Sequence, residues 1–148
     1  VAKLLVFAFT AAVVFAASAS AAVRAQSQRI PPSDVVRPTG TKAFSGNPTE
    51  LLATGTLRHA DTSLSPAGRS CNTCHLEASS YNPTFNKPWP HLVQSVKAKT
   101  GLDTITAEGM VQFCMISAMG ARPLAWDSET LAALTAFVLD RHSKVVQK

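Results

Sequence analysis

The residues with the most chemistry stand together at Cys71-Asn72-Thr73-Cys74-His75, a C-x-x-C-H run that holds two of the chain's three cysteines. The spacing suits one chemistry in particular. Two thiols three positions apart can add to the two vinyl groups on neighbouring pyrrole rings, and the residue after them carries an imidazole to the iron. Cys71 and Cys74 are then thioether anchors and His75 the proximal ligand, which makes one covalently bound haem c the expected cofactor. Three other chemistries compete. A Cys71–Cys74 disulfide suits an exported protein, and a C-x-x-C can be half of a zinc site. Zinc would want a second Cys/His pair at close spacing, and the sequence has none. A thioredoxin-like redox motif would want strands around it, and no segment reads as one.

An iron with His75 on one side takes either a second protein ligand, for electron transfer, or an open face, for ligand binding or catalysis. The side chains able to serve lie downstream: Cys114 and Met119 foremost, then Met110, Met115 and His91. A thiolate would stabilise ferric iron, whereas a thioether favours ferrous iron and raises the potential. A methionine on an apolar helix face is also ordinary core filling, and a third cysteine is often a small buried hydrophobe.

Several elements must position these groups. After Lys3 there is no charge until Arg24, and the apolar run Leu4–Phe15 gives way to Ala and Ser through Ala22. A basic start, an apolar stretch and a small-residue end predict a cleaved signal peptide over residues 1–25, hence export to the periplasm. Left uncut, the same run is long enough to anchor the chain in a membrane. Residues 26–47 are rich in Pro, Ser, Thr and Gly without any period, and read as an extended arm that wraps the surface or stays mobile. The remaining 48–148 form the expected haem domain.

Within that domain the periodicity is helical. Pro48–Thr54 makes a short helix that Gly55 ends. His91–Lys99 carries Leu92, Val93 and Val96 on one side, with Pro90 at its start and Gly101 as its break. Thr104 or Thr106 caps a helix that places Met110, Phe113 and Cys114 on one face. Asp127 caps the last, whose stripe is Leu131, Leu134, Thr135 and Val138, and whose final turn carries Arg141, His142 and Lys144. The expected fold class is all-α.

Composition narrows the partners. The 148 residues carry 14 Lys+Arg against 9 Asp+Glu, a formal +5 that falls to +3 once Lys3 and Arg24 are removed. No basic cluster is dense enough for nucleic acid. Three cysteines cannot close a disulfide framework, and there are no heptads. Lys87, Lys97 and Lys99 make a solvated face that would also steer an acidic redox partner.

With these residues in view, the chain resembles the c-type cytochromes over about Pro48–His142, in the C-x-x-C-H and the closing amphipathic helix. Asp61-Thr62-Ser63-Leu64-Ser65-Pro66-Ala67-Gly68-Arg69-Ser70-Cys71 is similar to the approach to haem sites in bacterial di-haem peroxidases. Cys114-Met115-Ile116-Ser117-Ala118-Met119, with Pro123-Leu124 and Asp127-Ser128, is similar to thiosulfate dehydrogenases and related sulfur-oxidation cytochromes. Those carry two haems; this chain has a single C-x-x-C-H. The resemblance implies that Met119, eight residues before Asp127, matches the methionine ligand of class I cytochromes. It also implies that Cys114, 39 residues after His75, matches the axial cysteine of the sulfur-oxidation proteins. An exported thiol left idle would be oxidised, which favours Cys114. Trp89, Trp126 and Tyr81 are expected to pack at the haem edge or in the core; a propionate pair is the less favoured of the readings open to Arg122. The function implied is a monohaem electron carrier between redox partner proteins; the alternative is a haem subunit or enzyme of sulfur-compound oxidation.

Overall fold

The computed structural model describes residues 29–75 and 87–146. The expected signal peptide over 1–25 and Tyr81 lie outside the described residues. Among those described there are five α-helices: α1 (Pro48–His59), α2 (Cys71–Cys74), α3 (Gln94–Thr100), α4 (Ala107–Ser117) and α5 (Glu129–Val146). Two 3-10 turns, at Pro32–Asp34 and Thr62–Leu64, complete the order. The only β-type pairing among them is an isolated antiparallel bridge between His91 and Ile105. The domain is all-α, as the periodicity predicts. None of these helices is long and apolar enough to cross a membrane.

Three of the helix starts are capped by a side chain next to them. The Asn47 side chain accepts from the Thr49 and Glu50 amides, while Pro48 fills the first helical position, where no amide proton is needed. Thr106 Oγ1 accepts from the Gly109 amide at 3.0 Å and starts α4. At the start of α5 the cap is Ser128, not the expected Asp127: its Oγ accepts from the Leu131 amide. Gly101, with φ of 82°, ends α3 in the left-handed region.

Two further expectations change in detail. The helix α1 runs through Gly55 to His59 rather than stopping there. The reason is packing: Gly55 meets the Ala133 backbone on α5, and its missing side chain lets the two helices close together. The segment after Pro90 does not enter a helix at once, because His91 pairs its backbone with Ile105 in both directions and α3 begins at Gln94.

The core has two parts, joined by α4. One holds Ile30, Val35, Val96, Ile105 and Phe113; the other holds Val111, Met115, Met119, Leu131 and Leu134. Because α4 feeds both, it is apolar nearly all round. The arm contributes directly to the first part. Ile30 and Val35 are buried, Ile30 donates its amide to the Lys99 carbonyl, and Arg37 pairs with Glu108 at the head of α4. The described part of the arm therefore wraps the body and supplies core side chains.

Candidate functional site

The one-turn helix α2 arises from two local bonds. Thr73 Oγ1 accepts from the Ser70 amide, and the Thr73 amide donates to the Ser70 carbonyl, both at 3.0 Å. A single helical turn brings residues three and four apart to one side. Cys71, Cys74 and His75 therefore share a wall, with the His75 amide closing the turn on the Cys71 carbonyl at 3.0 Å.

That wall belongs to a cavity of about 260 Å³, open to solvent on one side. All five sulfur or imidazole groups of greatest interest in the sequence line it: Cys71, Cys74, His75, Cys114 and Met119. So do Met110 and His91. Met115 does not line it and is core. The apolar wall comes from Val93, Val111, Leu134, Phe137 and Val138, and Trp89 packs at 4.2 Å from the His91 ring. Trp126 packs instead on the second core part, under the Arg37 guanidinium. Arg122 is exposed, and the arginine that lines the cavity is Arg69. Among the described residues that line it there is no Asp or Glu.

All three cysteines are free thiols. Burial, and then the sulfurs of Cys71 and Cys74, push the Cys114 thiol up to about 12. Burial likewise raises Cys71, with Cys74 adding to it. These neighbours act on one another because the three cysteines line one cavity. On the far side, His59 stacks on Phe137 at 4.4 Å between ring centroids. Burial lowers its pKa to about 4, and the charges of His75 and Arg141 push the same way. His91 is lowered too, first by burial and then by Lys87 and His142; the Pro88 carbonyl opposes them.

The donor chemistry fits a haem and fits a bare ion poorly. Among the described residues no three His, Cys, Asp or Glu side chains cluster closely enough to hold a metal ion. The thiols and imidazoles are instead distributed round an apolar cavity, which is what a flat ring anchored at its edge and gripped at its centre requires. Cys71 and Cys74 would hold such a group, with His75 at the iron.

Sequence reading missed His59, Arg69, Gln112 and Phe137. His59 follows Gly55 by four residues, so an i, i+4 pair facing α5 was available as a signal. Gln112 is a fully buried polar residue inside the apolar run of α4, and that mismatch was the only signal for it. Compared with known proteins, the chain matches no family model, no curated protein and no solved structure.

Proposed function

We propose that this chain is an exported, monohaem c-type cytochrome that carries single electrons between redox partner proteins in the periplasm. One observation carries the reading: Cys71, Cys74 and His75 form one wall of an apolar, half-open cavity whose lining also holds Met119 and Cys114. The resemblance of the C-x-x-C-H run and the closing helix to c-type cytochromes supports it, as does the leader-like composition of residues 1–25. Bound haem supplies a one-electron ferric/ferrous couple. The chain's own part is to anchor, to ligate and to dry the site. The Cys71 and Cys74 sulfurs hold the ring so that it cannot dissociate, and the His75 imidazole serves as the proximal ligand. Val111, Leu134, Phe137 and Val138 keep water away, and a low-dielectric jacket of this kind tunes the potential. Met119 is the sixth ligand of this reading: it lines the cavity and lies in the core part against which Cys71 packs.

The test is direct. The full chain is produced with haem-maturation machinery and analysed by intact mass and pyridine haemochrome spectrum. A covalent mass increment of one haem, lost in Cys71→Ala/Cys74→Ala, is the expected result. A colourless protein of unmodified mass would overturn the proposal.

The position of Cys114 in the same cavity favours a second reading, a haem subunit or enzyme of sulfur-compound oxidation. Thiosulfate-dependent haem reduction that disappears in Cys114→Ala would select it over the plain carrier.

A further inference from the structure

Between the end of α4 and the start of α5, the chain that carries Met119 is held by an unusual side chain. Gln112 is 0% exposed. Its Nε2 donates to the Leu124 carbonyl at 2.7 Å, and its Oε1 accepts from the Leu124 amide at 2.8 Å. One amide thus satisfies both backbone groups of one residue, as a neighbouring strand would. Burying a glutamine among Val111, Phe113 and Met115 costs side-chain entropy and desolvation that a leucine would avoid. The compensation is a fixed distance between α4 and residue 124.

The intervening loop is held elsewhere too. Ser65 Oγ donates to the Met119 carbonyl at 2.6 Å, and Arg69 Nη1 donates to the Ala118 carbonyl at 2.7 Å. The Met119 amide reaches the Cys114 carbonyl, and the Ala121 amide reaches the Met115 carbonyl. Gly120, with φ of 64°, supplies the left-handed turn that lets the chain double back between them. The result is a short loop tied to the helix behind it and to the segment that leads into Cys71.

We infer that Gln112 is a positioning residue for Met119, holding the far end of the loop that presents this sulfur to the cavity, which Cys114 lines from its helix. This rests on the haem reading above. Cys114 is fixed by the α4 backbone, whereas Met119 lies on a loop whose position depends on tethers. Cutting the Gln112 tether frees the Leu124 end of the loop and loosens the methionine against its remaining bonds, while the helix, and with it Cys114, stays where it was.

The experiment uses mature haem-loaded protein and three readouts: intact mass, the thioether-to-iron charge-transfer band of the ferric form, and affinity for added imidazole. Wild type should show the band. Gln112→Leu should keep the full haem mass, lose the band, and bind imidazole about ten- to a hundredfold tighter, the range expected when a buried hydrogen-bonded clamp is lost. Val96→Ala, a truncation in the other part of the core, should lower the unfolding temperature and keep both the band and the wild-type imidazole affinity. Should Gln112→Leu fail to accumulate, Gln112→Glu keeps the side-chain shape and loses the amide donor to the Leu124 carbonyl, and it should weaken the band and tighten imidazole binding in the same direction, an unchanged band and affinity overturning the inference. A Gln112→Leu protein with the wild-type band and affinity overturns the inference. So does wild-type protein with full haem mass but no band, while the haem reading survives. Absence of the haem mass from wild type overturns the haem reading instead.

Discussion

Gly55 on α1 lies so close to the carbonyl of Ala133 on α5 that a methyl group added to it would stand 2.1 Å from that oxygen. This contact sets the crossing of the two helices, and the same crossing places His59, one turn further on, against Phe137 in the cavity wall. An alanine in a helix ordinarily gains about 0.5–1 kcal/mol over glycine. Here the clash outweighs that gain, because the obstructing atom is backbone and cannot rotate away. Gly55→Ala should destabilise the fold by about 3 kcal/mol, in the upper range for overpacking. Urea unfolding checks it; a stabilised variant would show that α1 and α5 sit further apart.

His59 makes stability depend on pH. Its pKa is lowered to about 4 in the fold, chiefly by burial and then by His75 and Arg141. The unfolded chain takes up the proton near its ordinary value of 6.5, so it binds more protons between those two values than the folded protein does. Stability is therefore full above that ordinary value, falls as pH drops through the window, and levels off below about 4. His59→Phe keeps an aromatic ring against Phe137 and removes the titration. Its urea midpoint should vary less with pH than the wild-type midpoint. Some slope should remain, because His91 is lowered in the same direction.

How much of this was legible in the sequence follows from where each signal is encoded. The C-x-x-C-H wall is written in five consecutive residues, and one helical turn is enough to assemble it. The helices were legible wherever their own residues cap them, as at Thr106 and Gly101. They were misread where a partner decides. Gly55 looks like a stop until the Ala133 carbonyl arrives from α5. Residues 26–47 show no period because Ile30 and Val35 enter the core singly, between prolines and polar residues. The cavity divides in the same way. Cys114 and Met119 were visible as sulfur near the closing helix, whereas His59, Arg69 and Phe137 come together only through the helix crossing.

The arm supplies a further prediction. Arg37 pairs with Glu108, donates to the Lys42 carbonyl at 2.9 Å, and lies 5.3 Å from the centre of the Trp126 ring. Glu108 stands in the first turn of α4, where a carboxylate also suits the helix dipole. One guanidinium thus joins the arm, the head of α4 and the loop before α5. The groups are about one-fifth exposed, so the pair is more than a surface ornament. Arg37→Ala should cost about 1–2 kcal/mol. In a double-mutant cycle with Glu108→Ala, the combined loss should fall short of the sum of the two single losses. Full additivity would mean that the two side chains do not stabilise each other.

The two candidate sulfurs differ most sharply in what their removal should do. Met119 is 3% exposed and packs with Val111, Met115, Leu131 and Leu134. Met119→Ala leaves a cavity in that part of the core, and buried methionine truncations of this kind cost about 2–5 kcal/mol. In haem-loaded protein it should also abolish the thioether charge-transfer band and lower the midpoint potential, since a thioether ligand favours ferrous iron. Cys114 is smaller and faces the cavity from the helix, so Cys114→Ala should change stability by less than the methionine truncation and leave the band intact. The opposite pattern, with the spectrum altered only in Cys114→Ala, would make the thiolate the ligand. Sulfur-compound oxidation would then become the better account of the site. The midpoint potential is an independent check, because thiolate ligation would set it well below that of a methionine-ligated carrier.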